Sequence, residues 1–274
     1  MSEDTLGRVA VLGGGVMGEA IVGAVLRAGV DVDDVSVSER YAARATELSE
    51  RYGVRAADSA GKVASRADTV VVAVKPVDVA GVLEEIAPRL REGTLVMSVA
   101  AGLPLSFYES RLPAGTPVVR VMPNTPATVG QGASAISAGA TATDEHLART
   151  ERLLAATGLV LRVPERLLDA VTAISGSGPA YVFYLVDALA EAGVLLGLTR
   201  AQSLELAVAT FRGSATLLAE TGEHPVVLRE RVSSPGGTTV AGLRELDAHG
   251  VRAGVLAAAQ AAHDRSRALA QELG

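Results

Sequence analysis

The sequence predicts an α/β protein in which a mainly parallel sheet, covered by helices, is followed by an all-helical region. Through the first 163 residues, short runs of β-branched and other apolar residues alternate with amphipathic stretches, which is typical of parallel sheets with crossover helices. From Leu167 to the C-terminus we find no convincing strand. We therefore predict two domains, residues 1–163 and residues 164–274.

The first domain is predicted to hold seven strands. Residues 69–74 form a continuous, mostly β-branched run, as expected of a strand buried on both faces, and residues 159–163 are a candidate edge strand. The predicted strands are residues 8–12, 35–37, 69–74, 95–99, 118–122, 133–137 and 159–163. The predicted helices between them are residues 19–27, 42–52, 77–90 and 144–157.

The second domain is predicted to be a set of helices that associate with other subunits. Pro179 suits the first turn of a helix, where a missing N–H costs nothing, and Gly197 and Gly222 suit helix ends. Helices this rich in Ala and Leu must bury more than one side, and four or five of them cannot bury one another fully. We expect a homo-oligomer. The predicted helices are residues 179–196, 200–221, 225–232, 239–249 and 251–273.

Composition excludes several classes of site and partner. The net charge is −6 and the pI about 5.3, and no basic patch stands out, which argues against a nucleic-acid partner. The absence of cysteine excludes disulfides, thiolate nucleophiles and iron–sulfur clusters. The four histidines are scattered without ligand spacing, so we expect no metal site.

The chain is expected to be cytoplasmic and not to enter a membrane. Its first four residues, Met-Ser-Glu-Asp, are acidic where a secretory signal would be basic. The longest apolar runs are interrupted by Asp187, Glu191 or Gln260. None therefore reaches the roughly 20 residues that a membrane span needs.

The strongest motif is the glycine-rich turn at residues 13–18, Gly-Gly-Gly-Val-Met-Gly, between the first strand and the first helix. Gly13 permits a tight turn, Gly15 lets the backbone approach a pyrophosphate, and Gly18 lets helix and strand pack closely. The helix N-terminus adds N–H donors and partial positive charge. The motif predicts a Rossmann-type dinucleotide site, and the alternative is a turn that merely reverses the chain.

The tip of the second strand determines which dinucleotide is favoured. Glu39 there would accept from a ribose 2′-hydroxyl and favour NADH. Ser38 and Arg40 would bind a 2′-phosphate and favour NADPH, because a guanidinium matches phosphate geometry. We predict NADPH, with NADH possible; otherwise Glu39 and Arg40 are ordinary exposed charges.

Further candidate cofactor residues end the next strands, since ligands of such sheets bind at the carboxyl ends. Lys75 would hydrogen-bond a ribose or phosphate, although solvated lysines at strand ends are common. Asn124 would contact the nicotinamide ribose or carboxamide, although Asn and Pro also simply make turns. The predicted lining of the cleft is Ala73, Val74, Lys75, Pro76, Ala100, Ala101 and Asn124.

Two motifs in the second half place small residues before predicted helices. Residues 175–181 are Ser-Gly-Ser-Gly-Pro-Ala-Tyr, and residues 233–239 are Ser-Ser-Pro-Gly-Gly-Thr-Thr. Free N–H groups at a helix start form an anion site, so a carboxylate is expected on Gly237, Thr238 and Thr239. The alternative is a pair of well-capped helices.

Together these motifs resemble the pyrroline-5-carboxylate reductase family in identity, order and spacing, over essentially the whole chain. The resemblance implies reduction of 1-pyrroline-5-carboxylate to L-proline with NADPH or NADH, in homodimers or rings of dimers. It places Arg40 at the adenosine end, Glu165 on the substrate side, and Thr238 and Thr239 where the substrate carboxylate and ring nitrogen are held. The residues that it places on the pyrophosphate are Gly13, Gly15, Val16, Met17 and Gly18.

Two other functions stay open at this point. One is a related imine reductase or a 3-hydroxyacid dehydrogenase, which usually needs a lysine base in its helical domain; Lys62 and Lys75, the two lysines, both lie in the first half. The other is a non-catalytic NAD(P)-binding oligomer that senses redox state.

Overall fold

The structure, a computed structural model, describes residues 6–273, so the acidic first four residues lie outside the described part. One eight-stranded sheet forms the centre of the N-terminal half, with the strand order β3-β2-β1-β4-β5-β6-β7-β8. The strands are β1 Val9–Leu12, β2 Val35–Ser38, β3 Arg55–Ala57, β4 Thr69–Val72, β5 Leu95–Ser98, β6 Val118–Met122, β7 Gly132–Ala138 and β8 Gly158–Arg162.

Helices cover this sheet and form the rest of the described chain. Those of the N-terminal half are α1 Val16–Arg27, α2 Ala42–Tyr52, α3 Ala60–Ala64, α4 Val79–Ile86, α5 Leu105–Glu109, α6 Asp144–Leu154 and α7 Leu168–Val171. The helices after residue 177 are α8 Gly178–Leu195, α9 Arg200–Thr221, α10 Pro225–Arg231, α11 Thr238–Ala248 and α12 Val251–Leu273.

The sheet is mainly parallel, as predicted, with one antiparallel pair between β6 and β7. Leu12 at the end of β1 lies level with Ser38 of β2 and Val72 of β4. The glycine turn and the segments that follow β2 and β4 therefore start from the same edge. Because β1 lies between β2 and β4, this edge is the crevice where such sheets bind ligands.

Two apolar clusters fill the faces of the sheet. Val71 of β4 packs in one cluster with Ile21 of α1, whereas its neighbours Val70 and Val72 pack in the other with Leu83 of α4. Neighbouring residues of one strand thus enter opposite clusters. This confirms that the run at residues 69–74 is buried on both faces.

All seven predicted strands are present, with ends shifted by up to two residues, and β8 is an edge strand as expected. The sequence analysis missed β3, α3, α5 and α7, none of which is longer than five residues. Elements this short show too few periods for a hydrophobic pattern to reveal them.

Packing divides the chain into two compact units, one containing the residues up to 177 and from 262 on, the other residues 178–261. These units are defined by packing alone, so the domain boundary that we predict after residue 163 stays a prediction. In the second unit, no described residue is in a strand, and Ala190, Ser203 and Ala207 are its buried residues. Large apolar side chains of α8, such as Phe183 and Tyr184, are exposed. This leaves much apolar surface for a partner to cover.

Among the described residues, one helical stretch, Glu165–Leu195, is long and apolar enough to cross a membrane by length and composition. The sequence analysis expected no such run because Asp187 and Glu191 interrupt it. Isolated acidic residues do not lower the hydropathy of the whole segment enough to exclude it. A helix that is apolar on most sides is equally typical of an oligomer core.

Candidate functional site

Gly13 and Gly18 shape the turn that follows β1. Gly13 has a φ of +103°, and a Cβ there would lie 2.8 Å from the carbonyl oxygen of Ala73. Its N–H donates to the carbonyl of Ser38 at 2.8 Å. A Cβ on Gly18 would lie 1.9 Å from the carbonyl oxygen of Gly13. The turn thus cannot keep this shape with a side chain at either position.

Gly15 differs, because no atom lies within 4 Å of the position a Cβ would take. It is the N-cap of α1, and no side chain caps the helix start. The N–H groups of the first turn, which include those of Val16 and Met17, have no acceptor within the helix. Open space in front of free N–H donors at a helix N-terminus fits the pyrophosphate of a dinucleotide.

Two charged side chains hold Gly14 from opposite ends of its backbone. The Gly14 N–H donates to Glu39 Oε2 at 2.9 Å, and the other oxygen of Glu39 accepts from the Tyr41 N–H. On the other side, Arg44 Nε donates to the Gly14 carbonyl oxygen at 2.8 Å. Arg44 of α2 was not predicted as a site residue. No local pattern reveals it, because its contact depends on how α2 packs.

Arg44 also belongs to an ion-pair network that joins α1 to α2. Glu19, one turn into α1, accepts hydrogen bonds from Arg44, Arg51 and Tyr52. Burial raises the pKa of the Glu19 carboxyl, but these three hydrogen bonds outweigh it, and the net pKa lies below the ordinary value. Glu19 therefore stays ionised and keeps Arg44 turned toward the glycine turn.

Arg40 and Ser38 occupy different environments at the tip of β2. Arg40 is exposed, lies 3.6 Å from Asp78 and stacks over the Tyr41 ring at 5.0 Å. Ser38 is buried at 8% exposure. Glu39 and Arg40 both line a groove of about 460 Å³ beside α2 and β3. Of the two residues predicted for a 2′-phosphate, Arg40 is the accessible one.

Lys75 follows β4, directly before the short 3₁₀ turn Pro76–Asp78. Its side chain is exposed, and within residues 6–273 no carboxylate pairs with it. Ala73 is tied to β1 by an N–H···O bond to Leu12 at 2.8 Å. After β5, Ala100 is buried and Ala101 exposed. The predicted lining residues thus follow adjacent strands at the same edge, and Val74 lies against Gly13.

The side-chain amide of Asn124 makes two hydrogen bonds within the protein, one through its nitrogen and one through its oxygen. Its Nδ2 donates to the carbonyl of Ser175 at 3.0 Å, and its Oδ1 accepts from the Ala133 N–H at 2.9 Å. The side chain thus fastens the end of β6 to β7 and to the segment before α8. One N–H and one lone pair remain for a coenzyme, so a contact with the nicotinamide stays a prediction.

Glu165 is held against the sheet by two donors to one oxygen. Its Oε1 accepts from the Leu105 N–H at 2.6 Å and from Arg120 Nη1 at 3.0 Å. Arg120 of β6 is buried at 6% exposure, and in the described part Glu165 is its ion-pair partner. The other oxygen, Oε2, has no partner there. Glu165 lines a cavity of about 600 Å³ and presents that free acceptor.

The motif at residues 175–181 contains the start of α8 at Gly178, one residue before the predicted start, but a π-helical turn rather than an open loop precedes it. Residues Thr172–Gly176 form a π-helical turn between α7 and α8, and the Ser177 N–H donates to the Thr172 carbonyl at 2.8 Å. The predicted free N–H groups are thus partly used within a nearly continuous helix. The absence of a side chain at Gly176 lets this turn pack closely against Met122, since a Cβ on Gly176 would lie 2.6 Å from Met122 Cε.

The motif at residues 233–239 does form a helix start, in the second compact unit. Gly237 is the N-cap of α11, and no side chain caps it. Gly236 has a φ of +70°, and the Gly237 N–H donates to the Ser234 carbonyl at 2.9 Å. The expectation that the Gly237 N–H binds a carboxylate is therefore wrong, because the turn already uses this donor. The N–H groups of Thr238 and Thr239 therefore point out of the first turn without acceptors in the helix.

No group of three or more acidic or histidine side chains in residues 6–273 is placed to hold a metal ion.

Two family models match the chain. Residues 165–269 match the model described as pyrroline-5-carboxylate reductase dimerisation, and residues 8–102 match that of NADP oxidoreductases, coenzyme F420-dependent. The first match covers the helical half and indicates a homo-oligomer. The second covers the glycine turn and the strands that follow it.

Relatives resemble the chain over almost its whole length. The pyrroline-5-carboxylate reductase of Corynebacterium melassecola is 46% identical and covers 95% of this chain and 98% of its own. That of Mycobacterium tuberculosis is 44% identical, with 96% and 97% covered.

Solved structures agree with the relatives. The pyrroline-5-carboxylate reductase of Coxiella burnetii has a TM-score of 0.92 at 35% identity, covering 97% of this chain and 99% of that one. That of Plasmodium falciparum, solved with NADP bound, has a TM-score of 0.86 at 28% identity, covering 96% and 98%. The chain belongs to the pyrroline-5-carboxylate reductase family.

Proposed function

We propose that this chain reduces 1-pyrroline-5-carboxylate to L-proline with NADPH, and with NADH as a second coenzyme. The observation that carries the proposal is the open position at Gly15, in front of the uncapped start of α1, within a chain of this family. The nicotinamide coenzyme supplies the hydride, which adds to the imine carbon as the C=N electron pair passes to nitrogen.

For the coenzyme, we assign the pyrophosphate to the backbone of the glycine turn. The residues assigned there are Gly13, Gly15, Val16, Met17 and Gly18. Arg40 takes the adenosine 2′-phosphate, because its guanidinium is exposed and only loosely paired with Asp78 at 3.6 Å. Ser38 is buried, so its contribution is the carbonyl that fixes Gly13.

Next along the edge, we assign the rest of the cleft to residues that end β4, β5 and β6. Lys75 has no carboxylate partner within the described residues, so its ammonium is free to reach a ribose or phosphate oxygen. Small side chains at Ala100 and Ala101 leave room beside the sheet. The remaining lining residues are Ala73, Val74, Pro76 and Asn124.

For the substrate, we assign the carboxylate to the start of α11. Gly237 carries no side chain, and the N–H groups of Thr238 and Thr239 have no acceptor in the helix. The Thr239 hydroxyl both donates and accepts, so it suits the ring nitrogen of the imine. Most of the rate enhancement would come from holding the imine in position.

The proton balance of the reaction does not require a strong general acid. An imine that enters already protonated becomes the neutral amine when the carbon receives hydride. We place Glu165 on the substrate side, where the negative charge at its free Oε2 would favour the protonated imine, and the single N–H of the iminium is left to the Thr239 hydroxyl. Arg120 and the Leu105 N–H hold its other oxygen in place.

We propose that the oligomer is a dimer, or a ring of dimers, formed through the helical half and working in the cytoplasm. The exposed apolar residues of α8 and the match of residues 165–269 support this arrangement. On this view, other subunits rather than lipid cover the segment Glu165–Leu195. Light scattering of the purified chain without detergent would test it, and a stable monomer would contradict it.

The direct test of the activity is loss of NADPH absorbance with 1-pyrroline-5-carboxylate as substrate. Turnover that yields proline supports the proposal. Turnover of 3-hydroxyacids alone would favour the dehydrogenase, and coenzyme binding without turnover of any imine would favour a redox sensor.

A further inference from the structure

A second cleft, of about 830 Å³, lies at the amino ends of the strands. Arg8 directly precedes β1, Asp34 precedes β2, Arg55 begins β3, and Ala67 lies just before β4, and all four line the cleft. The glycine turn follows the carboxyl end of β1. The cleft therefore opens at the opposite edge of the sheet from the glycine turn, and beside β3 it shares Ser49, Ala56 and Ala57 with the groove that Arg40 lines.

The lining of this cleft is strongly cationic. It contains a single carboxylate, that of Asp34, in a chain whose net charge is −6. The cations come from separate segments, so no basic run appears in the sequence, and the expectation that no basic patch exists does not hold here. The cationic lining residues are Arg8, Arg55, Lys62, Arg66 and Arg89.

Two of these cations are already paired with acids next to the cleft. Arg8 lies 3.3 Å from Asp68, and Lys62 lies 3.8 Å from Asp58. The other three, at positions 55, 66 and 89, have no carboxylate within ion-pair distance in the described part of the chain. Arg55 Nη2 already donates to the carbonyl oxygen of Asp33, so Arg66 and Arg89 are the arginines left to bind an anion.

Contacts with the segment that begins α3 orient the side chain of Arg89. Its side chain crosses the buried Gly61, where a Cβ would lie 2.7 Å from Arg89 Cδ. The Glu85 carboxylate, whose charge interacts with that of Arg89, accepts hydrogen bonds from the Gly61 N–H at 2.8 Å and the Ser59 hydroxyl at 2.7 Å. These hydrogen bonds, and then the charge of Arg89, lower the pKa of Glu85. Glu85 is thus engaged at the start of α3, and the Arg89 guanidinium retains its donors.

We propose that this cleft binds a small, multiply charged phosphate anion of nucleotide size. Guanidinium groups match phosphate oxygens in two-pronged contacts, and the cleft is within the size range of small-molecule sites. Val63, Ala56 and Ala57 add an apolar wall suited to a base. Nucleic acid is a poorer occupant, since the chain is acidic and the cations form a cleft rather than an extended stripe.

Calorimetric titration with inorganic tripolyphosphate tests the proposal, using the full chain saturated with NADP⁺ so that the carboxyl edge is blocked. One tripolyphosphate should bind per chain, more tightly than inorganic phosphate and less tightly as salt rises. The double variant Arg66→Ala/Arg89→Ala should bind it about tenfold more weakly or worse. Arg229→Ala, which removes an exposed arginine of α10 outside both grooves, is the matched control and should bind tripolyphosphate as the wild type does.

Several results would overturn the proposal. These are absence of binding to the saturated wild type, equal binding by the double variant, or binding lost when NADP⁺ is present. Tighter binding of duplex DNA through the same arginines would replace it with a nucleic-acid site. Should the alanine pair fail to fold, Arg66→Lys/Arg89→Lys keeps the charge but loses the planar fork, and unchanged affinity in that pair contradicts the proposal.

Discussion

The carboxylate of Glu39 accepts a hydrogen bond from the backbone N–H of Gly14 at 2.9 Å. This bond holds a negative charge beside the glycine turn, in the groove that Arg40 also lines. A ribose 2′-hydroxyl can donate to such a carboxylate, whereas a 2′-phosphate is repelled by it. On the proposed assignment, coenzyme preference depends on the balance between the adjacent, oppositely charged Glu39 and Arg40.

Replacing Glu39 with Gln should shift the preference toward NADPH. The amide keeps an acceptor for the Gly14 N–H and removes the charge that repels the 2′-phosphate. We expect the ratio of kcat/KM for NADPH to that for NADH to rise by about tenfold, or ~1.4 kcal/mol. Steady-state kinetics with both coenzymes measure it. An unchanged ratio would show that Glu39 serves only the glycine turn.

Replacing Arg40 with Ala should have the opposite effect. The KM for NADPH should rise by about tenfold or more, because a charge-assisted contact to phosphate is lost, while the KM for NADH changes little. Arg51→Ala, another exposed arginine, provides the control. Equal effects on the two coenzymes would remove Arg40 from phosphate recognition.

Replacing Arg44 with Ala should weaken the binding of both coenzymes together. The variant loses the donor to the Gly14 carbonyl and one partner of Glu19, so the turn that holds the pyrophosphate loosens. We expect Kd for NADPH and NADH to rise about threefold to thirtyfold, or ~1–2 kcal/mol. Arg51→Ala, which loses a contact with Glu19 but none with Gly14, is the matched control. A selective effect on NADPH would argue against this role.

Replacing Thr239 with Ala should lower kcat/KM for the imine by about tenfold to several-hundredfold, the range for a lost hydrogen bond worth ~1–3 kcal/mol. Thr239→Ser, which keeps the hydroxyl, should recover most of the activity. The KM for coenzyme should stay unchanged in both variants. Activity of the alanine variant within twofold of the wild type would refute the assignment.

Acid should destabilise the protein partly through Glu19. The folded-state pKa of Glu19 lies below its ordinary value of 4.5, so the carboxylate contributes its full stability above pH 4.5 and loses it as the pH falls through the folded-state pKa. Urea unfolding between neutral pH and about pH 3 measures this. Glu19→Gln should be less stable than the wild type at neutral pH and should lose less stability on acidification; parallel curves would contradict the linkage.

The sequence predicted most of the fold and the position of the glycine turn, because both depend on local patterns, whereas the coenzyme contacts stay predictions. Glycine spacing after a β-branched run was enough to place the turn between β1 and α1. The π-helical turn before α8 was not predicted, since Gly and Ser suit a helix start and a widened turn equally well. Arg44 and the amino-edge cleft were missed because their residues meet only through packing of distant segments.

Three of the four glycines in the turn, Gly13, Gly15 and Gly18, differ in why a side chain would be rejected. Alanine at Gly13 or Gly18 would collide with backbone oxygens, so a library selected only for folded protein would already reject it. Gly15 has a φ of −65°, which any residue can adopt, and open space where a Cβ would lie. The same library would therefore retain alanine at this position. If Gly15 holds the coenzyme as we propose, its substitution would be rejected only in cells that must make their own proline. Gly15 is then the position where mutational data separate folding from catalysis.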